Sequence, residues 1–221
     1  MNYVISVIVP SALDTLTDIF ENLELPLSVT MRAKGTAVKS MLELLGIESN
    51  ERRMAVTIAN NEKTAQLISL AKRKLHIGVP GHGIIVSVPI KSVGGGKTLA
   101  YLNGDNQFSK QAPEFNGDYE LITIIANEGH TDSVMNAARA AGARGGTVLH
   151  GKGTGAKGSQ RFYNISIANE KEVILIVSSK EQKAQIMRSV LQKAGPDTDT
   201  GAIVFSLPVS QVAGFGFFEE N

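Results

Sequence analysis

The apolar positions of this chain change period in the same order twice. In the first half, YVISVIV (residues 3–9) is a β-branched apolar run that predicts a strand, and DTLTDIFENL (14–23) spaces its apolar residues three and four apart, as an amphipathic helix does. LSVTMRAKG and RRMAVTIAN then read as strands, NEKTAQLISLAKRKL as a second helix and GIIVSVPIKSV as a closing strand. In the second half, ELITIIAN (120–127) predicts a strand, HTDSVMNAARAAG a helix capped by Thr131 or Asp132 and stopped at Gly142, and GGTVLHGKG a second strand. FYNISIANEKEVILIVSS carries the third strand with NEK as a turn inside it, KEQKAQIMRSVLQKAG is a helix, and GAIVFSLPVSQV closes the unit. Only the first half adds VKSMLELLGI (38–47), a further helix-like stretch.

The two halves also align by residue. KGTAVK at 34–39 matches KGTGAK at 152–157 (152 − 34 = 118), and residues 50–95 align without a gap on 169–214 (169 − 50 = 119). That shift pairs Asn50 with Asn169, Ala65 with Ala184, Gln66 with Gln185 and Pro89 with Pro208. Such self-similarity predicts a tandem duplication: copy one over 1–95, a linker rich in Gly, Asn, Asp and Gln over 96–118, and copy two over 119–221. Tyr101 and Phe108 are placed to pin parts of that linker to a domain. A βαββαβ order predicts an α+β fold of two ferredoxin-like domains, each an antiparallel sheet with both helices on one face. The other face then needs a cover, which predicts assembly into a homo-oligomer.

Composition narrows the function. Lys and Arg number 22 against 21 Asp and Glu, so no surplus of positive charge exists to hold a polyanion, and nucleic acid is not the expected partner. There is no cysteine, which removes disulfides, thiolate metal sites and a Cys nucleophile. The N-terminal stretch lacks the basic and apolar regions of a signal peptide, and no apolar run approaches the roughly 20 residues of a membrane helix. A cytoplasmic protein without membrane insertion is expected.

Three segments carry a family resemblance: GARGGTVLHGKGTG (142–155), where a strand leads into a Gly-rich turn, and the equivalent pair GHGIIVSVPI (81–90) and TGAIVFSLPV (200–209). With the element order, they resemble the P-II nitrogen-regulatory family. The resemblance implies trimers of βαββαβ units that bind adenine nucleotides in clefts between subunits and regulate an enzyme or transporter, with no catalysis of their own. It also sets departures. Where the family has a phosphate-binding Lys after its Gly-Asp-Gly turn, this chain has Ile84 and Ala202, and the basic pair after the last strand is missing. The long partner-contacting loop is shortened around GSQR in copy two, so regulation by uridylylation is not expected, and Tyr163 reads as a strand residue.

Candidate ligand-binding residues follow from turns whose N–H groups and lysines suit an anion: Lys34, Gly35, Thr36 and Lys39, with Lys152, Gly153, Thr154, Gly155 and Lys157. The same residues also suit solvated turns at strand ends. The second cluster is Gly81 and His82 in copy one and Thr200 and Gly201 in copy two. Asp197 and Asp199 beside it have the chemistry of a hard-cation site and equally of a solvated loop. His76, His82, His130 and His150 lack the i, i+4 spacing of a helical metal site, and Arg144 suits an exposed turn. No nucleophile elbow, Walker loop or triad appears, so no enzyme is expected. The leading expectation is a small-ligand sensor at inter-domain clefts. The alternatives are an interaction scaffold without nucleotide binding, or a metal-binding protein similar to the CutA family, through His82 or Asp199.

Overall fold

The computed structural model describes residues 1–25, 27–37, 50–90, 117–153, 161–162, 165–166 and 169–215. The chain divides into two compact units, one made of Met1–Ala33, Val38–Tyr119 and Pro208–Asn221, the other of Lys34–Ala37 and Glu120–Leu207.

In the first unit, β1 (Asn2–Ile8) leads through one 3-10 turn (Pro10–Ala12) into α1 (Leu13–Asn22). β2 (Ser28–Gly35), β3 (Glu51–Ala59), α2 (Asn61–Leu75) and β4 (Gly83–Pro89) follow. The strands lie in the order β2-β3-β1-β4, with β1 antiparallel to both neighbours. This is the ferredoxin-like order. Val4, Ile8, Ala55, Ala59 and Ile85 meet Leu16, Ile19 and Phe20 of α1 and Leu67, Ala71 and Leu75 of α2 in one buried core, so both helices cover the same sheet face.

The second unit repeats the plan with β5 (Tyr119–Asn127), α3 (Thr131–Ala140), β6 (Thr147–Gly153), β9 (Asn169–Ser179), α4 (Lys180–Ala194) and β10 (Ile203–Val209). A separate hairpin, β7 (Arg161–Phe162) with β8 (Ile165–Ser166), lies between β6 and β9 in sequence. The strand order is β6-β9-β5-β10, again the ferredoxin-like one. Ile122, Ile124, Ala126, Ile174 and Ile176 pack beneath Val134, Met135 and Ala138 of α3 and Ile186, Val190 and Ala194 of α4. The α+β, antiparallel reading with helices on one face holds in each unit.

The shift of 119 seen in the sequence recurs in the helices: α2 begins at 61 and ends at 75, and α4 begins at 61 + 119 = 180 and ends at 75 + 119 = 194. Even the caps coincide. Asn60 accepts a hydrogen bond from Lys63 N (2.8 Å) and Ser179 from Gln182 N (3.3 Å), each satisfying one of the orphan donors of its helix.

Some local expectations are corrected. NEK is no turn, because β9 runs unbroken from Asn169 through it, in register with β6. Neither Thr131 nor Asp132 caps α3: His130 holds the cap position without a capping bond, and Thr131 turns its hydroxyl to Glu172 instead. The closing strand breaks at Ser210, after which β11 (Gln211–Ala213) pairs antiparallel with β4 in the first unit. The expected helix at 38–47 and most of the expected linker, with Tyr101 and Phe108, lie outside the described residues, as does Tyr163.

Candidate functional site

The KGT turn of copy one closes β2, and its last residues belong to the second unit. Lys34 pairs with Val148 and Gly35 with Thr147, and Lys34 stays exposed. Thr36 is fully engaged: its N donates to Gly146 O (3.1 Å), its hydroxyl accepts from Gly146 N (2.8 Å), and its carbonyl accepts from the Arg139 guanidinium. Its amide and hydroxyl oxygen therefore stitch the strand end to the start of β6 and are already satisfied within the protein.

In copy two the equivalent Lys152 and Gly153 end β6, opposite Glu170 and Asn169 of β9. Thr154, Gly155, Lys157 and Lys39 lie outside the described residues.

The α4–β10 turn is the second predicted segment. Thr200 is buried; its carbonyl accepts from Asn127 N (3.0 Å) and its hydroxyl lies 3.3 Å from His130 Nδ1. Gly201 sits at a φ of 56° and donates to Thr198 O (3.0 Å), a conformation that suits glycine. Asn127, at the end of β5, donates to Asp199 O (2.9 Å) and accepts from Lys171. The side chains of Asp197 and Asp199 are exposed. In copy one, Gly81 has a φ of 88°, and His82 places Nδ1 3.3 Å from Leu75 O with its ring edge-on to His76, 5.9 Å between centroids.

A group that the sequence reading missed lies beneath the N-terminus of α3. Glu172 is 4% exposed, accepts from the Thr131 hydroxyl (2.8 Å) and stands opposite His150, whose Nδ1 is 4.0 Å from its carboxylate. A carboxylate at that helix end complements the dipole. The signal was legible: in EKEVILIVS the inward positions 172, 174, 176 and 178 read Glu, Ile, Ile, Ser, a charge on an apolar face. Among the described residues no group of three or more His, Asp or Glu side chains is placed to hold a metal ion.

The second unit thus brings Thr200 and Gly201 together with Asn127, His130 and Lys171 through hydrogen bonds that fix the turn. Residues 119–215 match the family model of nitrogen regulatory protein P-II. The chain carries a P-II-like domain. The P-II match is to a family of regulators and not of enzymes, and it takes in both β6 with its Lys152–Gly153 end and the Thr200–Gly201 turn. Among solved structures, PII of Arabidopsis thaliana, in a crystal structure where that protein is bound to citrate, is 21% identical, covering 43% of this chain and 78% of that one, with a TM-score of 0.35. No curated protein matches the chain.

Proposed function

We propose that the chain is a cytoplasmic P-II-like signal-transduction protein, homo-oligomeric, in which a small anionic ligand such as an adenine nucleotide binds at the glycine-rich turns and alters contact with a regulated enzyme or transporter. The observation that supports it best is that the P-II match spans the β6 end and the α4–β10 turn together. Lys34, Lys152 and Lys157 supply the charge, Gly35, Gly153, Gly155, Gly81 and Gly201 the close backbone approach, and Thr154, Thr200, His82 and Lys39 complete the set, while Thr36 holds the copy-one turn in shape. Ligand binding acts by favouring one loop conformation over others.

A second reading, an interaction scaffold that has lost the nucleotide, is favoured by one position. Ala202 stands where the family has its phosphate-binding Lys, and it is fully buried in the second core. A lysine there would bury an ammonium among isoleucines, so the missing charge cannot be restored at this place.

Thermal unfolding of the whole chain with and without millimolar ATP, ADP, AMP and cyclic AMP separates the two, because a ligand bound only by the folded state raises Tm. A nucleotide-specific rise that disappears in Lys152→Ala is the expected outcome. Equal Tm with every nucleotide rejects the sensor and leaves the scaffold.

A further inference from the structure

β11 is held to the first unit by interactions that a separate strand would make equally well. Gln211, Val212 and Ala213 face Ser87, Val86 and Ile85 of β4, and Ser210 N donates to Ser87 O (2.9 Å). The Ser210 hydroxyl enters a buried polar chain: it meets Ser87 Oγ and donates to Asn2 Oδ1 (3.1 Å), while Asn2 Nδ2 donates on to Asn61 Oδ1 (3.0 Å) and Thr64 Oγ1 (3.2 Å). Ala213 is fully buried in the first core, Val209 is 2% exposed, and the Phe215 ring meets Tyr119 edge-on at 5.1 Å.

These interactions define what the edge of β4 selects. Position 210 needs a hydroxyl to satisfy Ser87 and Asn2, and position 213 needs a side chain no larger than alanine. Position 214 must be glycine, since Gly214 has a φ of 80° and a Cβ there would collide with the Gly83 carbonyl. The segment is also lightly anchored. Among the described residues it pairs on one side only, whereas β1 has a partner on each side. Its fully enclosed apolar side chains, Val209 and Ala213, are small. Such an element opens locally well before the core strands do, and opening bares a row of strand-edge donors and acceptors.

We propose that the β4 edge is a strand-acceptor site that takes residues 209–215 of a second copy of this chain in exchange for its own. The second copy is the partner because the segment that fits is this chain's own: the hydrogen bonds and packing formed between copies equal those given up within one, and concentration decides the balance. The exchange adds a strand to a sheet edge and is independent of any ligand at the turns.

The absence of native cysteine allows a clean test. Val86 and Val212 face each other across the antiparallel β4–β11 pair, and directly opposed residues of such pairs generally lie about 4.5–5.5 Å apart between Cα atoms, within a disulfide's reach. Chains carrying Val86→Cys alone and Val212→Cys alone are mixed and oxidised. The expected product is a covalent heterodimer that rises with protein concentration and falls by about tenfold under excess peptide of residues 209–215. A chain with both substitutions serves as the control and closes its internal disulfide. Heterodimer absent while that control closes overturns the proposal, as does a control that never closes. Should Val86→Cys fail to fold, amide exchange of the unaltered chain decides: exchange of β11 about a hundredfold faster than β1 supports the proposal, and equal rates reject it.

Discussion

At the scale of single residues, the backbone carries some of the clearest constraints. His76 ends α2 in the left-handed region, at φ 54° and ψ 35°, where a side chain costs free energy and glycine does not. The basic last turn, Lys72, Arg73 and Lys74, suits the helix dipole, so the strain lies in the cap alone. His76→Gly is expected to stabilise the first unit by about 0.5–1 kcal/mol, read as a higher urea midpoint at unchanged slope. A lower midpoint would mean that the edge-on contact with His82 outweighs the relief of the backbone. Thr36 makes the opposite point. Its type suited phosphate recognition in the sequence, yet its amide, hydroxyl and carbonyl are all bound to Gly146 and Arg139, a role that only long-range geometry reveals.

Elements were the most legible level of the sequence. The helices starting at Asn61 and Lys180 follow from apolar spacing and from cap residues at Asn60 and Ser179, because these signals are local. Where the first residue of a helix bonds to a distant strand instead of capping, as Thr131 of α3 does to Glu172, local reading names the wrong cap, since nothing near Thr131 announces a carboxylate 41 residues away. The cap of α4 also sets a charge. Glu181 is held below the ordinary carboxylate range, first by its own backbone amide and then by the Ser179 hydroxyl. A depressed carboxyl stabilises the folded state above its unfolded pKa, and that contribution is lost as pH falls through the folded value. Ser179→Ala should therefore move the Glu181 titration midpoint upward, as followed by NMR, and weaken α4 by about 1 kcal/mol. An unmoved midpoint would show that the backbone amide alone sets this carboxyl.

The molecule as a whole is where sequence reading stops short. The repeat implies that each copy holds its own six elements, and the strand orders bear out two ferredoxin-like sheets, but residues far apart in the chain complete each unit. Lys34–Ala37 serve the second unit, and Pro208 onward serves the first. Periodicity records which face of a strand is buried and is silent on which edge it joins, so β11 reads as a plain continuation of β10. Of the candidate site the sequence offers turn types alone, the glycines and lysines of the KGT and TG segments, while Asn127 and Lys171 at the Thr200–Gly201 turn and Glu172 beside the start of α3 are three-dimensional neighbours. The division of the chain makes a measurable demand. Ending the chain at Leu207 removes the buried Val209 and Ala213 and leaves Ser87 and Asn2 without the Ser210 hydroxyl. Burial of small apolar side chains and a buried unpaired acceptor together amount to about 2–4 kcal/mol, a large part of the roughly 5–15 kcal/mol of an ordinary domain. Amide exchange in β4 and α2 should then quicken by about a factor of 30 to 1,000, while α3 and α4 keep their protection. A uniform loss across all four elements would instead assign residues 208–215 to both units equally, and the first core would not depend on β11 in the way its buried alanine and serine indicate.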